Sequence, residues 1–346
     1  MTIVEAARTV TGGIDTHGEV HVAAVLDEVG GLLGTHSFRA DPDGYAELLS
    51  WLQAFGEVSK VGVEGTGSYG AGVARFLAKA GVHVVEVDRQ NRQARHHSGK
   101  SDPLDAVEAA RAVLSGRAHG TAKSRDGSVE AIRVLVVAKR SARGARIKAL
   151  TQMRQLTFSA PDQLQGRLKG LPIAAFVAAA QGLRPTRSPD AVTAATKASL
   201  SSLGHRVAEL EAEIAELDAM ITPLLETTAP KLLAIYGVGI DTAAALLVAA
   251  GDNPERLRSE AAWAHLCGVS PLEASSGKVT RHRLNRGGDR QANRALWHIV
   301  ITRLASDPRT QAYMERRVKD GRSKREAIRM LKRYVAREVY RYLPRP

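Results

Sequence analysis

The first ninety residues carry an ordered series of short apolar runs separated by turn residues, and this series constrains the fold most strongly. An apolar run around Ile14 is followed by runs at Val20–Leu26 and at 32–38, with glycine-containing turns between them. Short apolar runs bounded by such turns favour β-strands, and tight turns make consecutive strands antiparallel. The sequence therefore predicts a three-stranded antiparallel meander.

Helices and strands alternate after the meander. Apolar residues at helical spacing predict helices over 45–52 and 70–80, and two further apolar runs predict strands over 60–63 and 82–87. Strands joined through helical crossovers pair in parallel. The order strand, strand, strand, helix, strand, helix, strand is that of the ribonuclease H-like fold. We therefore predict an α/β domain over residues 1–125.

On this fold, four acidic residues are expected to lie close together. Asp15 lies in the first strand, and Glu64 lies at the carboxyl end of the fourth strand, which runs beside the first. Asp102 and Asp105 are three residues apart at the start of a predicted helix, so they project from one face. Carboxylates crowded together are unfavourable without cations, and hard oxygen ligands select Mg²⁺ or Mn²⁺. The four acids predict a divalent-metal site, although each has an ordinary structural explanation when taken singly.

The positive charge of the chain is concentrated near its C-terminus. The formal net charge of the 346 residues is +13, and residues 278–346 contain 20 Lys+Arg against 6 Asp+Glu. This density favours phosphate binding, because neutralised phosphates release condensed counterions; a solvated helix face is the alternative. The residues expected to contact nucleic acid are Lys100, Lys278, Arg281, Arg283, Arg286, Arg290 and Arg294.

Composition argues against several classes of protein. The single cysteine, Cys267, is incompatible with a disulfide framework and with a cysteine-rich zinc site. No apolar run reaches the roughly 20 residues of a membrane-spanning helix, and we find no signal peptide, so we expect a cytoplasmic, nucleoid-associated protein. Aromatic residues make up only 4% of the chain, which disfavours a stacking platform for single-stranded nucleic acid.

Residues 126–230 predict helices without strands. A helical stretch over 129–156 contains interspersed basic residues, which either lie along a nucleic acid or are solvated. A heptad seam follows, consisting of Leu203, Val207, Leu210, Ile214, Leu217, Ile221 and Leu224. This seam requires a partner helix, and we favour a dimerising coiled coil over an intramolecular hairpin. Pro223 is expected to end or kink the helix.

Residues 231–346 predict a mainly helical domain. The segment 236–239 reads Tyr-Gly-Val-Gly between two helical runs, which is typical either of a helix-hairpin-helix turn that binds a phosphate or of a packing turn. Ser275-Ser276-Gly277-Lys278 follows, ahead of an arginine-rich run. A serine before glycine can be held on a sharp turn with its hydroxyl exposed, and neighbouring guanidinium groups ease its deprotonation. Segments of this kind also mark ordinary loops.

Five motifs together resemble one known family, in the same order and over nearly the whole chain. They lie at residues 13–15, 63–69, 100–106, 236–239 and 275–278. In these motifs the chain is similar to the insertion sequence 110 family of transposases, relatives of the Piv DNA invertase. The family's usual Pro-Gly-Val-Gly reads Tyr-Gly-Val-Gly here, and its usual Gly-Asn before arginine reads Gly288-Asp289.

The resemblance implies a RuvC-like domain with a DEDD set of acids, a coiled-coil arm and a C-terminal domain with a nucleophilic serine. It implies site-specific recombination through a covalent serine–DNA link, guided by a structured non-coding bridge RNA. The catalytic, metal-binding acids would then be Asp15, Glu64, Asp102 and Asp105. The nucleophile would be Ser276, with Ser275 as the alternative. The implied partners are donor and target DNA, the RNA and further copies of the chain in a dimer or tetramer.

Two other functions fit the same residues. A metal-dependent nuclease acting on DNA junctions would use water as the nucleophile and leave free ends, with Ser276 only a loop residue. A non-catalytic nucleic-acid-binding coiled-coil protein would bind without breaking strands. The long separation of Asp105 and Ser276 along the chain also allows the acids and the serine to come from separate domains or subunits.

Overall fold

The computed structural model describes residues 8–87, 102–188, 190–253, 256–278 and 282–344. The chain divides into two units. The first unit comprises Met1–Gly127 with Ala250–Ala262 and the two C-terminal residues, and the second comprises Ser128–Ala249 with Trp263–Pro344. The three-domain division expected from the sequence stays a prediction. Among the described helices, none combines the length and apolar character needed to cross a bilayer.

A six-stranded mixed sheet forms the centre of the first unit. Strands β1 (Thr9–Thr16), β2 (Val20–Leu26) and β3 (Leu32–Arg39) form the predicted antiparallel meander. Strands β4 (Glu57–Glu64) and β5 (Val84–Val87) run parallel to β1, and the two-residue strand β6 (Gly120–Thr121), which we did not predict, pairs antiparallel with β5. The order β3-β2-β1-β4-β5-β6 confirms the mixed α/β domain, and it fits a ribonuclease H-like sheet.

Helices cover both faces of this sheet. Helices α1 (Pro42–Gln53) and α2 (Ala71–Lys79) pack on one face, and α3 (Asp102–Leu114) packs on the other. Side chains alternate along each strand, so Ile14 and Val63 belong to the core beneath α1 and α2. The same alternation directs Asp15 and Glu64 towards the face that α3 covers.

Two glycines allow α3 to approach the sheet closely. Gly13 of β1 and Gly62 of β4 are paired neighbours in the parallel ladder. A Cβ atom on Gly13 would lie 2.2 Å from the carbonyl oxygen of Ala106 and 2.3 Å from the amide nitrogen of Ala110. A Cβ atom on Gly62 would lie 2.8 Å from the carbonyl oxygen of Ala109. The backbone of α3 therefore rests directly on the backbones of the two strands that carry Asp15 and Glu64 at their carboxyl ends.

Helices dominate the second unit, as predicted for the C-terminal part. Their bounds are α4 Ser128–Phe158, α5 Asp162–Leu168, α6 Ile173–Gln181, α7 Ala191–Thr228, α8 Pro230–Leu233, α9 Ile240–Ala250, α10 Glu260–Leu266, α11 Arg290–Ser306, α12 Pro308–Lys319 and α13 Lys324–Tyr342, where α10 starts in the first unit. Two-residue strands β7 (Leu272–Glu273) and β8 (His282–Arg283), absent from our predictions, form a small antiparallel hairpin. Only four residues form α8, so the helix-hairpin-helix interpretation stays a prediction.

The heptad seam of α7 packs against α4 of the same chain. Leu200 and Val207 of α7 are fully buried with Met153 of α4 in one apolar cluster. The seam thus has a partner helix without a second subunit, and dimerisation through it stays a proposal. Pro223 was predicted to end or kink the helix; α7 continues to Thr228, so Pro223 does not end it, and the kink stays a prediction. The proline removes one backbone N–H, and burial of the residues around it outweighs that loss.

Basic residues of α4 are neutralised within the second unit. The ammonium group of Lys139 is buried between the carboxylates of Asp218 and Asp241, and its Nζ lies 2.5 Å from Oδ1 of Asp241. Arg143 also pairs with Asp241, and Arg146 pairs with Glu211. Burial raises the pKa of Asp241, but the hydrogen bonds and charges of Lys139 and Arg143 bring this pKa below its ordinary value. These cations stabilise the helical packing and are not a free phosphate-binding face.

The close contact at Gly13 predicts that Gly13→Ala lowers the free energy of unfolding by roughly 2 kcal/mol or more, because the new methyl group collides with helix backbone. Chemical denaturation followed by circular dichroism measures this change. Gly18→Ala is the matched control in the same unit, since its Cβ would meet no atom closer than 3.6 Å. Equal stabilities of the two variants would contradict the close packing of α3.

Candidate active site

The carboxyl ends of β1 and β4 bring the first two predicted acids together. Ile14 pairs with Val63, so Asp15 and Glu64 occupy the next positions on adjacent parallel strands. The hydroxyl of Thr16 donates a 2.8 Å hydrogen bond to the backbone carbonyl of Glu64 and joins the two strand ends. Asp15 and Glu64 are buried. In open α/β sheets this edge is where ligands bind.

The first turn of α3 brings the other two acids to the same edge. Asp105 is buried, and the side chain of Asp102 is 47% exposed. Both carboxylates are close enough to act electrostatically on Asp15. The structure therefore brings Asp15, Asp102 and Asp105 together, and the strand register places Glu64 next to Asp15.

His17 lies between two of these acids, although we did not predict it as a site residue. Its Nε2 atom lies 3.1 Å from Oδ2 of Asp15 and 3.6 Å from Oδ1 of Asp102. One possible ligand atom from each of the three residues lies within 4.8 Å of the others. The signal was the spacing of two between Asp15 and His17, because residues i and i+2 of an extended chain point to the same side.

The electrostatics of the cluster favour a cation. Burial raises the pKa of Asp15; His17 opposes this rise, and the charges of Asp105 and Asp102 add to it. The cost of ionising Asp15 thus comes from desolvation and from like charges, both of which a bound cation offsets. Carboxylate oxygens are the preferred ligands of Mg²⁺, and Mn²⁺ also accepts an imidazole nitrogen. The donor set of Asp15, His17 and Asp102 fits such an ion.

A hydrogen-bonded turn borders Glu64. Gly65 has a φ of 71°, which favours glycine, and its carbonyl oxygen accepts hydrogen bonds from the amides of Ser68 and Gly70 at 2.8 and 3.1 Å. The guanidinium of Arg125 donates a 3.0 Å hydrogen bond to the carbonyl of Gly67. Our prediction was a flexible turn here. The turn leaves Tyr69 63% exposed beside the acidic edge.

The predicted nucleophile lies on a sharp, exposed turn of the second unit. Ser276 follows β7 and precedes Gly277, whose φ is 56°. Ser275 and Ser276 are both exposed. A Cβ on Gly277 would meet no described atom within 4 Å, so space around this turn is open. The geometry leaves either hydroxyl accessible to a large substrate, and the choice between them stays a prediction.

The basic residues expected to contact nucleic acid are exposed where the structure describes them. These are Lys278, Arg283, Arg286, Arg290 and Arg294. None of the five forms an ion pair with a carboxylate in the described part of the chain. Carboxylates therefore do not neutralise their charges there, although Arg294 donates a 3.4 Å hydrogen bond to Nε2 of His298. Lys100 and Arg281 lie outside the described residues.

The two departures from the family motifs have structural roles. The carboxylate of Asp289 accepts 2.8 Å hydrogen bonds from the amides of Gln291 and Ala292 and so caps α11, as an asparagine also does. The hydroxyl of Tyr236, which a proline lacks, forms a 2.6 Å hydrogen bond with the hydroxyl of Ser306. Neither departure changes a predicted site residue.

Two family models match the chain in order. A model for the DEDD domain of IS110, described as a transposase, matches residues 12–158, and a model described as the transposase IS116/IS110/IS902 family matches residues 229–315. The first range contains the four acids, and the second contains Ser276. Together the two ranges cover more than half of the chain.

Similarity to individual insertion-element proteins agrees with the two family models. The chain is 32% identical over 135 residues to the IS110 uncharacterized 43.6 kDa protein of Streptomyces coelicolor, covering 38% of this chain and 33% of that protein. It is 26% identical over 199 residues to the IS900 uncharacterized 42 kDa protein of Mycobacterium paratuberculosis, covering 57% and 47%. The matches thus span less than half the length of each relative. With both family models matched in order, the chain belongs to the IS110 family of transposases.

Proposed function

We propose that this protein is a recombinase of an insertion sequence that cuts and rejoins DNA, with a metal-binding DEDD site and a serine nucleophile. One observation carries this proposal. Asp15, Asp102 and Asp105 lie close together at the edge of the sheet where β4 ends in Glu64. Family membership supports it independently. Donor and target DNA are the expected substrates.

Within the acidic site, Asp15, Glu64, Asp102 and Asp105 are the residues that would hold Mg²⁺ or Mn²⁺. His17 hydrogen-bonds Asp15 and either orients this carboxylate or adds a nitrogen ligand. When bound, the ion polarises a scissile phosphate and stabilises developing negative charge. The carboxylates position it, and burial of Asp15, Glu64 and Asp105 limits access of water.

The serine step is a phosphoryl transfer. The hydroxyl oxygen of Ser276 attacks a DNA phosphorus and forms a serine phosphodiester, the bond between phosphorus and a sugar oxygen breaks, and the hydroxyl proton leaves to a base or to solvent. The released sugar hydroxyl is the leaving group, and rejoining reverses the step with a different strand end. The exposed cations Lys278, in the turn after Gly277, and Arg283, on β8, can neutralise the phosphate.

The proposal that a structured RNA guides the protein to its DNA sites rests on the resemblance of all five motifs to the insertion sequence 110 family. The exposed basic residues of the second unit supply the charge that any polynucleotide needs. Purifying the protein with its bound nucleic acid and sequencing that nucleic acid identifies the RNA. Assembly into a dimer or tetramer belongs to the same proposal.

A junction-cutting nuclease is the second candidate, favoured by one observation. The acids and the described group of possible ligands, Asp15, His17 and Asp102, belong to the first unit, and Ser276 belongs to the second. A site of this kind can activate water alone. The two functions differ in whether the protein becomes linked to DNA.

We predict that wild-type protein gains thermal stability from Mn²⁺ and that Asp15→Asn abolishes this gain, with an affinity loss of about tenfold or more. Without metal, Asp15→Asn should be the more stable protein, because it removes one of the crowded charges. Melting curves with Mn²⁺ and with a chelator measure both effects. Asp43→Asn, which changes an exposed acid of α1, is the control. Equal increases of melting temperature with Mn²⁺ in wild type and Asp15→Asn would contradict the proposed metal site.

Ser276→Ala is expected to abolish covalent protein–DNA adducts while DNA and RNA binding persist, because it removes only the nucleophilic oxygen. Denaturing electrophoresis of reactions with labelled DNA detects the adduct. Ser275→Ala is the matched control and should retain it. An adduct lost in Ser275→Ala and kept in Ser276→Ala would assign the other serine. Cut DNA without an adduct in the wild type would favour the nuclease.

Mixing Asp15→Ala protein with Ser276→Ala protein should restore part of the strand exchange if one active site combines acids and serine from different subunits. Product formation on matched DNA substrates is the measurement. A mixture of Asp15→Ala with Asp102→Ala is the control and should remain inactive, since both lack the same half of the site. Failure of the first mixture at every ratio would argue for sites completed within one subunit.

A further inference from the structure

Two of the chain's few aromatic residues meet on the surface of α12 and α13. The rings of Tyr313 and Tyr334 pack edge to face, with centroids 5.6 Å apart and planes at 79°. The guanidinium carbons of Arg316 and Arg317 lie 5.4 and 5.2 Å from the centroid of Tyr313. That of Arg337 lies 5.9 Å from the centroid of Tyr334. Aromatic faces and guanidinium planes thus lie side by side.

The same face of α13 continues this arrangement. Met330, Tyr334, Arg337 and Arg341 recur at spacings of four, three and four residues, so they form one stripe along the helix. This stripe lies on a different side of the helix from the buried residues Val335 and Val339. Tyr334 is 49% exposed. We call Tyr313, Arg316, Tyr334, Arg337 and Arg341 the Tyr–Arg surface.

Positive charge is in excess around the Tyr–Arg surface. Residues 308–342 contain 12 Lys+Arg against 4 Asp+Glu. Three of the four carboxylates are already engaged: Asp320 with Arg317, Glu326 with the amide of Ser323, and Glu338 with Arg303. Burial and then the charge of Arg337 lower the pKa of Arg333, which is consistent with crowded cations. An anionic partner offsets this crowding.

We propose that the Tyr–Arg surface binds unpaired nucleotides of a single-stranded polynucleotide, with a base stacked on Tyr334 and phosphates on the arginines. A half-exposed ring contributes stacking energy only when a flat group covers it, and base-paired nucleotides in a duplex keep their faces stacked on each other. Arginine both pairs with phosphate and stacks on bases, which matches the composition of this surface. The proposal goes beyond the recombinase chemistry and does not depend on the acidic site.

Binding by the full chain to three fluorescent probes of about 20 nucleotides tests this proposal: oligothymidylate, oligouridylate and a DNA duplex, at one salt concentration and with a chelator. Tyr334→Ala should weaken single-strand binding about tenfold and change duplex binding less than about twofold. Tyr334→Phe keeps the ring and should bind like the wild type. Arg325→Ala is the charge control, since Arg325 is exposed about two and a half helical turns from Tyr334 and faces the opposite side.

The outcomes separate the possible partners. Loss of single-strand binding confined to Tyr334→Ala supports the proposal, and the preferred probe, ribose or deoxyribose, identifies the source as RNA or DNA. Equal weakening of single strand and duplex by Tyr334→Ala, or unchanged single-strand binding, would overturn it. Melting temperatures of all variants exclude unfolding as the cause. Because the chelator removes divalent ions, a failed recombinase proposal leaves this result unaffected.

Discussion

Direct contact between the backbone of α3 and the glycine pair of β1 and β4 is the constraint on which the candidate site depends. The absence of side chains at Gly13 and Gly62 brings the helix to backbone contact with the sheet. That contact places the first turn of α3, with Asp102 and Asp105, beside the strand end that carries Asp15. Larger residues at either glycine would lift the helix and separate the acids. Backbone packing, more than any bond between the acids themselves, therefore sets the geometry of the cluster.

Crowding of the acids has a cost that the packing must sustain. Without an ion, burial and neighbouring carboxylates make ionised Asp15 unfavourable, and His17 offsets only part of this cost. Folded proteins tolerate such unfavourable local interactions at functional sites because the packing of the surrounding core fixes the conformation there. Here the core consists of apolar residues on both faces of the sheet, above and below the strands that end in the acids. A bound cation would convert this repulsion into attraction, so the same crowding of acids that costs stability would favour a divalent ion as the ligand.

Sequence patterns predicted the elements whose periodicity is strong and missed those decided by tertiary contacts. The first five strands followed from apolar alternation and turns, and strand order then placed Asp15 beside Glu64. The sequence did not predict His17 as a site residue, because its partner Asp102 is distant in sequence. The pairing of Lys139 with Asp218 and Asp241 was equally invisible, since charge density alone does not distinguish paired cations from free ones. Two-residue strands such as β7 carry no periodic signal.

Where this chain can bind a polynucleotide depends less on the total charge than on whether each cation is already paired with a carboxylate. The helix α4 is rich in cations, yet Lys139, Arg143 and Arg146 are held by carboxylates of the same unit. Lys139 is buried between two carboxylates, so moving it to a phosphate would break a buried ion pair, which costs more than an exposed ion pair contributes. Lys278, Arg283, Arg286, Arg290 and Arg294 form no ion pair with a carboxylate among the described residues, so their counterions can be released when phosphates bind. We therefore expect phosphate binding to centre on these five cations, and under our further proposal Tyr334 would select unpaired nucleotides.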